Sequence, residues 1–128
     1  MVEPVDATEL LVMVLADAFR VRGESARVSG RVPNPRPDQF VRVSVAGGGQ
    51  RNPLVEQPRL LFECWDQTDP AAARLAHLTR TVIYDSFGGS PGIWGSTVRS
   101  CSYPVLFVDE SGQPRAQFTA ELLIPAHT

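Results

Sequence analysis

Two cysteines and two histidines are the side chains whose chemistry would suit a nucleophile and its base: Cys64, Cys101, His77 and His127. A cysteine nucleophile requires a histidine within hydrogen-bond reach. Cys64 falls in an alternating, strand-like run, whereas His77 falls on the polar face of the helix predicted after it, so we do not expect the two to meet. We expect His77 to be an exposed surface histidine. Both cysteines are expected to be buried free thiols, because two cysteines do not make a disulfide framework.

The other candidates for chemistry have simpler structural explanations. No Cys-x-x-Cys or His-x-x-x-His spacing provides the clustered ligands that zinc requires. The run Gly47-Gly48-Gly49 lacks the Gly-Lys-Ser/Thr that completes a phosphate loop, and we expect either a flexible connection between strands or a partner-contact loop there. Asp66 and Asp69 flank a predicted helix start, where acids are favoured in any case. We therefore expect no catalytic residue, no metal and no cofactor.

The composition is that of one ordinary globular domain. The chain has 128 residues, of which 43% are apolar and 20% charged, and this length can bury a single core. No apolar run approaches the ~20 residues of a membrane span, so we expect a soluble intracellular protein. All twelve basic residues are arginine and the net charge is -2, which argues against general nucleic-acid binding because that binding depends on phosphate contacts. Residues 1–128 form one predicted domain, with an arm at 1–5 and a tail at 126–128.

A helix is predicted first. Asp6 and Glu9 have the spacing of a capping box, and Gly23 follows the last expected helical residue, Arg22. The apolar stripe recurs at helical spacing and consists of Leu10, Leu11, Val14, Leu15, Ala18 and Phe19, widened by Val12 and Met13. Such a stripe predicts a helix with one side in the core.

Three strands are predicted next. They are Ala26–Val32, Gln39–Ala46 and Pro58–Trp65, separated by the proline loop Pro33–Pro37 and the flexible glycine loop Gly47–Pro53. In the third strand we expect Leu60, Phe62 and Cys64 to face the core. Leu61 and Trp65 then lie on the opposite side and are expected to be exposed.

A second helix divides the strands. Thr68, Asp69 and Pro70 are typical of a helix start. The predicted buried stripe is Ala72, Leu75, Ala76, Thr79, Val82 and Ile83. We expect this helix to end before Phe87, at a loose glycine-rich loop. Two strands, about Thr97–Val108 and Arg115–Pro125, then form a hairpin.

The order of elements is therefore α-β-β-β-α-β-β. This order favours an α+β fold: a mixed or antiparallel five-stranded sheet with both helices packed on one face. No internal repeat or low-complexity tract interrupts it.

Over nearly its whole length the chain resembles the tail terminator proteins of long non-contractile-tailed phages (siphophages), especially those of actinobacterial hosts. The resemblance rests on the order of elements and on three segments: Val41-Arg-Val-Ser-Val-Ala-Gly-Gly-Gly-Gln-Arg-Asn52, Pro58-Arg-Leu-Leu-Phe-Glu-Cys-Trp65 and Asp69-Pro-Ala-Ala-Ala-Arg-Leu-Ala-His77. The family has no catalytic motif, so no residue roles carry over from it.

The resemblance implies a virion structural protein made in the bacterial host cytoplasm. Such proteins form a six-subunit ring that caps the head-proximal end of the tail tube, stops tube polymerisation and joins the tail to the neck. The implied partners are further copies of the chain, the tail tube protein and a neck or head-completion protein. DNA passes through the lumen without specific binding, and no enzyme activity is involved. Two alternatives remain: another neck or tail-completion protein of similar fold, or a small dimeric α+β ligand-binding module.

We expect the segments that face the tube or the neck to be the proline loop Pro33–Pro37, the glycine loop over Gly47–Asn52 and the loop Phe87–Gly95. Two interpretations of the last loop stay open: contact with a partner, or a tucked loop that covers the core. The candidate interface residues are Pro33, Arg36, Phe40, Arg42, Gly48, Arg51, Glu63, Trp65, Phe87 and Trp94. Arginine–carboxylate pairs using Arg42 or Glu63 would fix the rotation between neighbouring subunits by their directional geometry. The run of Arg27, Arg31, Arg42, Arg51 and Arg59 predicts ion pairs, within or between subunits, or contacts with phosphate.

Overall fold

The computed structural model describes residues 6–89 and 92–126, and its first element is helix α1 (Ala7–Arg22). The predicted capping is confirmed: the Asp6 carboxylate accepts the backbone N–H of Glu9 at 3.1 Å, and Gly23 ends the helix with a φ of 73°. The stripe is buried at Leu10, Leu11, Val14, Leu15 and Phe19. Its predicted widening is wrong at Met13, whose side chain is half exposed. The predicted arm, residues 1–5, lies outside the described residues.

The second part of the fold is a long β-hairpin. Strand β1 (Arg27–Ser29) is shorter than predicted and runs parallel to β2 (Phe40–Asn52), which pairs antiparallel with β3 (Val55–Trp65). The proline loop lies between β1 and β2, outside the strands. The prediction of a flexible loop after residue 46 is wrong. The glycines continue β2, because their backbone groups pair with a β3 strand that is itself held by the last strand of the chain.

Helix α2 (Asp69–Phe87) begins as predicted, with the Thr68 hydroxyl accepting the backbone N–H of Ala71 at 3.2 Å. Its predicted stripe is buried throughout. The predicted end is wrong, since the helix includes Phe87. This side chain is fully buried, and it lies four residues after Ile83 on the same face of the helix.

After α2 comes a short 3₁₀ turn (Ile93–Gly95) and then three strands rather than two. The predicted strand Thr97–Val108 is divided into β4 (Thr97–Cys101) and β5 (Val105–Phe107), followed by β6 (Arg115–Pro125). Pro104 lies in the break, and proline has no N–H for a strand ladder. The last strand has the bounds that the sequence predicts.

Within the described residues the sheet has six strands in the order β1-β2-β3-β6-β4, and β5 also pairs with β6. It is mixed, because β1 and β2 are parallel and all other pairs are antiparallel. The α+β prediction is confirmed, whereas the predicted number of five strands is wrong. β4 and β5 lie one after the other along the same edge of β6, with β3 along its other edge.

One hydrophobic cluster contains buried residues of both helices and alternate residues of β2, β3 and β6. Leu60, Phe62 and Cys64 face it and are fully buried, as predicted. The prediction that Trp65 is exposed is wrong: only 2% of it is accessible. Trp65 does point away from the main cluster, as strand alternation requires, but a second group of side chains covers it there.

Candidate interaction surface

A stack of aromatic and arginine side chains covers Trp65. The rings of Phe40 and Trp65 are 4.5 Å apart and nearly parallel. The Arg36 guanidinium, from the proline loop, lies 5.2 Å from the Phe40 centroid and 5.3 Å from that of Trp65. Arg115 of β6 lies 5.8 Å from Trp65. Phe40 and Trp65 are therefore interior residues of one chain, and the expectation that they present their rings to a partner is wrong.

Carboxylates hold these arginines in place. Glu63 is 6% exposed and accepts from Arg42 at 3.4 Å and from Arg115 at 3.3 Å. Asp109 accepts from Arg115 at 3.0 Å and from Arg36 at 3.2 Å. Arg42 and Glu63 face each other across β2 and β3, so their charges meet within the chain. They are therefore paired with each other within the chain, one of the two arrangements expected for these arginines, and pairing between subunits stays a prediction.

The pKa of Asp109 is lowered from its usual value of 3.8. Burial by itself raises the pKa. Four groups favour the ionised carboxylate and outweigh the effect of burial: the hydroxyl and the backbone N–H of Ser111, the nearby Trp65 indole and the positive charge of Arg115. The Trp65 Nε1 is buried and makes no hydrogen bond of good geometry, so its influence on Asp109 comes from proximity. Asp109 is thus an ionised anchor for the loop between β5 and β6.

The other predicted interface residues are divided between the interior and the surface. Pro33 is buried in the proline loop, and Phe87 is part of the main core, so neither is the surface residue that we expected. Gly48 and Arg51 lie in the exposed end of β2. Trp94 is half exposed and has a φ of 57° within the 3₁₀ turn.

The described part of the loop Phe87–Gly95 is more ordered than the predicted loose loop, although Ser90 and Pro91 lie outside the described residues. The backbone N–H of Gly92 donates to the Ser96 carbonyl at 3.1 Å, and that of Gly95 donates to the Gly92 carbonyl at 2.9 Å. A Cβ on Gly92 would lie 2.3 Å from the Ser96 carbonyl oxygen. Only glycine fits this approach, so the turn requires glycine at position 92.

An apolar surface that the sequence analysis did not single out lies at β5. Val105, Leu106, Phe107 and Val108 are 53%, 49%, 48% and 95% exposed. Consecutive residues of a strand point to opposite sides, so neither side of β5 is fully covered. In the sequence, this surface is visible as a run of four apolar residues without alternation. A single strand from Thr97 to Val108 with one buried side does not explain such a run.

The two thiols and His77 differ in burial. Both cysteines are free; Cys64 is buried as expected and Cys101 only half buried. Burial raises the pKa of Cys64 to about 12, although a hydrogen bond with Thr79 partly opposes this effect. Its thiol is therefore protonated at neutral pH and unsuited to nucleophilic attack. His77 is exposed, as predicted, and packs edge-on against Tyr103 at 5.0 Å, whereas His127 lies outside the described residues.

Within residues 6–89 and 92–126, no three His, Cys, Asp or Glu side chains are grouped to hold a metal ion. In the same part of the chain, neither helix combines the length and apolar character of a membrane span. In comparisons with known proteins, the chain matches no protein-family model and no curated protein.

Proposed function

We propose that this protein is a virion structural protein, the tail terminator of a siphophage. It forms a ring, of six copies by the resemblance, on the head-proximal end of the tail tube. There it stops addition of tube protein and joins the tail to the neck, with DNA passing through the lumen. The observation that carries this proposal is the uncovered β5 strand, which supports a role in assembly.

The exposure of β5 favours an assembly role for a physical reason. Four adjacent apolar side chains on an edge strand cost free energy in water and invite pairing with another chain. Pro104 precedes the strand and Glu110 follows it. Even so, Val105, Leu106 and Phe107 are each about half exposed, as residues of a surface that is covered after assembly would be.

The charge distribution is compatible with a passage for DNA. The net charge is -2, and Arg42, Arg59 and Arg115 are paired with carboxylates of the same chain. Arginines paired in this way are less available to phosphates. Each phosphate contact would add binding and slow the passage of DNA.

Two measurements test this function. Native mass spectrometry with negative-stain images of the concentrated protein is expected to show closed rings. Purified tail tubes of the same phage, supplied with tube protein, are expected to stop growing when this protein is added. A compact dimer that leaves tube growth unchanged would refute the proposal and support a ligand-binding module. Rings that dock elsewhere on the virion would instead identify another neck or tail-completion protein.

A further inference from the structure

The sheet ends in two open edges that differ in charge and in side-chain size. One is the β5 edge, defined here as Val105–Val108 with the flanking acids Asp69 and Glu110. Asp69 lines a cleft of about 210 Å³ together with Leu106, Phe107 and Val108. Both acids are exposed and, within the described part of the chain, neither forms an ion pair. This edge is thus apolar, with two exposed acids beside it that form no ion pair within the described residues.

The opposite edge consists of β1 and the outer arm of β2, which we define as Val45–Asn52. Every residue of the outer arm is exposed. β1 pairs with β2 only as far as Arg42, so no described strand pairs with the free side of the arm. Its backbone groups are available there to another chain.

This second edge is basic and has little side-chain bulk. Arg27, Arg31 and Arg51 are exposed and form no ion pair with any residue that the structure describes. Between the two irregularities of β2, the residues Gly47–Gln50 pair regularly with β3. Three of those four residues are glycines, which leave room for large side chains of a partner.

We propose that the β5 edge of one copy docks on the outer arm of β2 in the next copy, a head-to-tail contact that deepens the proposed assembly role and rests on it. The three residues of β5 fit within the four-residue regular stretch of the arm. Leu106 and Phe107 cover the glycines, and the acids Asp69 and Glu110 approach Arg31 and Arg51, the arginines of the basic edge that lie nearest to the arm. The contact leaves one open edge at each end of a pair, so further copies can add and a suitable rotation closes a ring.

Charge distinguishes this arrangement from a two-fold contact between two β5 edges. A two-fold contact uses the same surface of both copies. It would place the acids of both β5 edges in one interface with no arginine of the basic edge, and like charges at an interface oppose association. A two-fold contact between two basic edges meets the same objection through Arg27, Arg31 and Arg51. The head-to-tail contact alone brings opposite charges together.

Three matched variants of the full chain test this contact. Leu106→Asp changes the β5 edge, Val45→Asp changes the outer arm, and Val21→Asp is a control on α1. These positions are 49%, 58% and 71% exposed, so all three variants are expected to fold, which circular dichroism checks. In sedimentation velocity, the first two are expected to associate at least tenfold more weakly than the wild type. The control is expected to assemble like the wild type.

Mixing the two edge variants provides the decisive result. Each retains one intact edge, so an equimolar mixture is expected to form dimers that neither variant forms alone, and growth is expected to stop there. If Val45→Asp alone still forms dimers, the contact is two-fold and the inference is overturned. It is also overturned if wild-type rings are insensitive to both substitutions, or if the wild type remains monomeric at every concentration.

These outcomes separate the contact from the function. If rings form despite each of the two substitutions, the proposed contact is rejected and the proposed tail-terminator role is not. Open fibres of wild-type protein, with dimers in the mixture of variants, confirm the contact and reject the ring cap.

Discussion

Phe40 and Trp65 occupy facing positions of β2 and β3, and their rings stack 4.5 Å apart on the side of the sheet away from the main core. Arg36 lies over both rings and is held by Gln113 at 2.7 Å as well as by Asp109. The pair thus forms a small second core, closed by the guanidinium of Arg36 over both rings. It links the proline loop to the β5–β6 connection.

Replacing Trp65 by alanine removes the centre of this second core. We expect Trp65→Ala to lower the free energy of unfolding by about 3–5 kcal/mol, because a large buried aromatic leaves a cavity. Trp65→Phe keeps an aromatic partner for Phe40 and is expected to cost less. Urea denaturation followed by circular dichroism measures both. The exposed control Val21→Ala is expected to change stability by no more than about 0.5 kcal/mol, and an equally small effect of Trp65→Ala would contradict the assignment.

The lowered pKa of Asp109 predicts a contribution to stability that depends on pH. A carboxyl with a lower pKa in the folded state stabilises the fold above its unfolded pKa, near 3.8, and loses this contribution as pH falls through the folded value. Asp109→Asn is expected to be less stable than wild type by a constant amount above about pH 5. The difference is expected to shrink below pH 3.8. Urea titrations between pH 2 and 7 measure this difference, and a gap that does not change with pH would contradict the expectation.

Adjacent glycines of the outer arm are expected to respond differently to a methyl group. Gly48 has a φ of 94°, and a Cβ there would lie 2.3 Å from the Gln57 carbonyl oxygen. Gly48→Ala is therefore expected to destabilise the arm by about 1–3 kcal/mol. A Cβ on Gly49 would meet no atom within 4 Å, so Gly49→Ala serves as the matched control. Hydrogen exchange of the arm amides is expected to speed up only in the first variant.

The two thiols are expected to react in order of burial. Cys64 is fully buried with a pKa of about 12, whereas Cys101 is half buried with a pKa raised from 9.0 by burial. A thiol reagent at pH 8 is expected to modify Cys101 in the folded protein and Cys64 only after unfolding. Cys64→Ala identifies the slow phase, and fast reaction of both thiols would contradict the structure.

Because the folded pKa of Cys64 is raised, its contribution to stability is complete below pH 9.0 and is lost as pH rises towards 12.

Much of the fold could be predicted from local signals. The caps at Asp6, Gly23 and Thr68, the stripe of α2 and the bounds of β6 depend on residues close together in the chain. Short-range hydrogen bonds and periodic burial determine such features. The α+β class followed from the order of these elements.

Local signals could not show which residues of the candidate interaction surface are exposed and which are buried. The exposed Gly48 and Arg51 were among the predicted interface residues, but Phe40, Trp65 and Phe87 were placed on the surface although they are buried. Alternation correctly placed Trp65 on the side opposite Cys64. It could not show that Arg36, far away in sequence, covers that side.

By itself, the sequence determined the helices, most of the strands and the side of each strand that meets the main core, because these depend on period and capping. Only the tertiary structure decided which opposite faces and edges are covered. Pairing with β3, which is itself paired with β6, makes the glycine run part of a strand, and Arg36 and Arg115 cover the Phe40–Trp65 stack. The same long-range arrangement leaves β5 and the outer arm of β2 uncovered at opposite edges of one sheet.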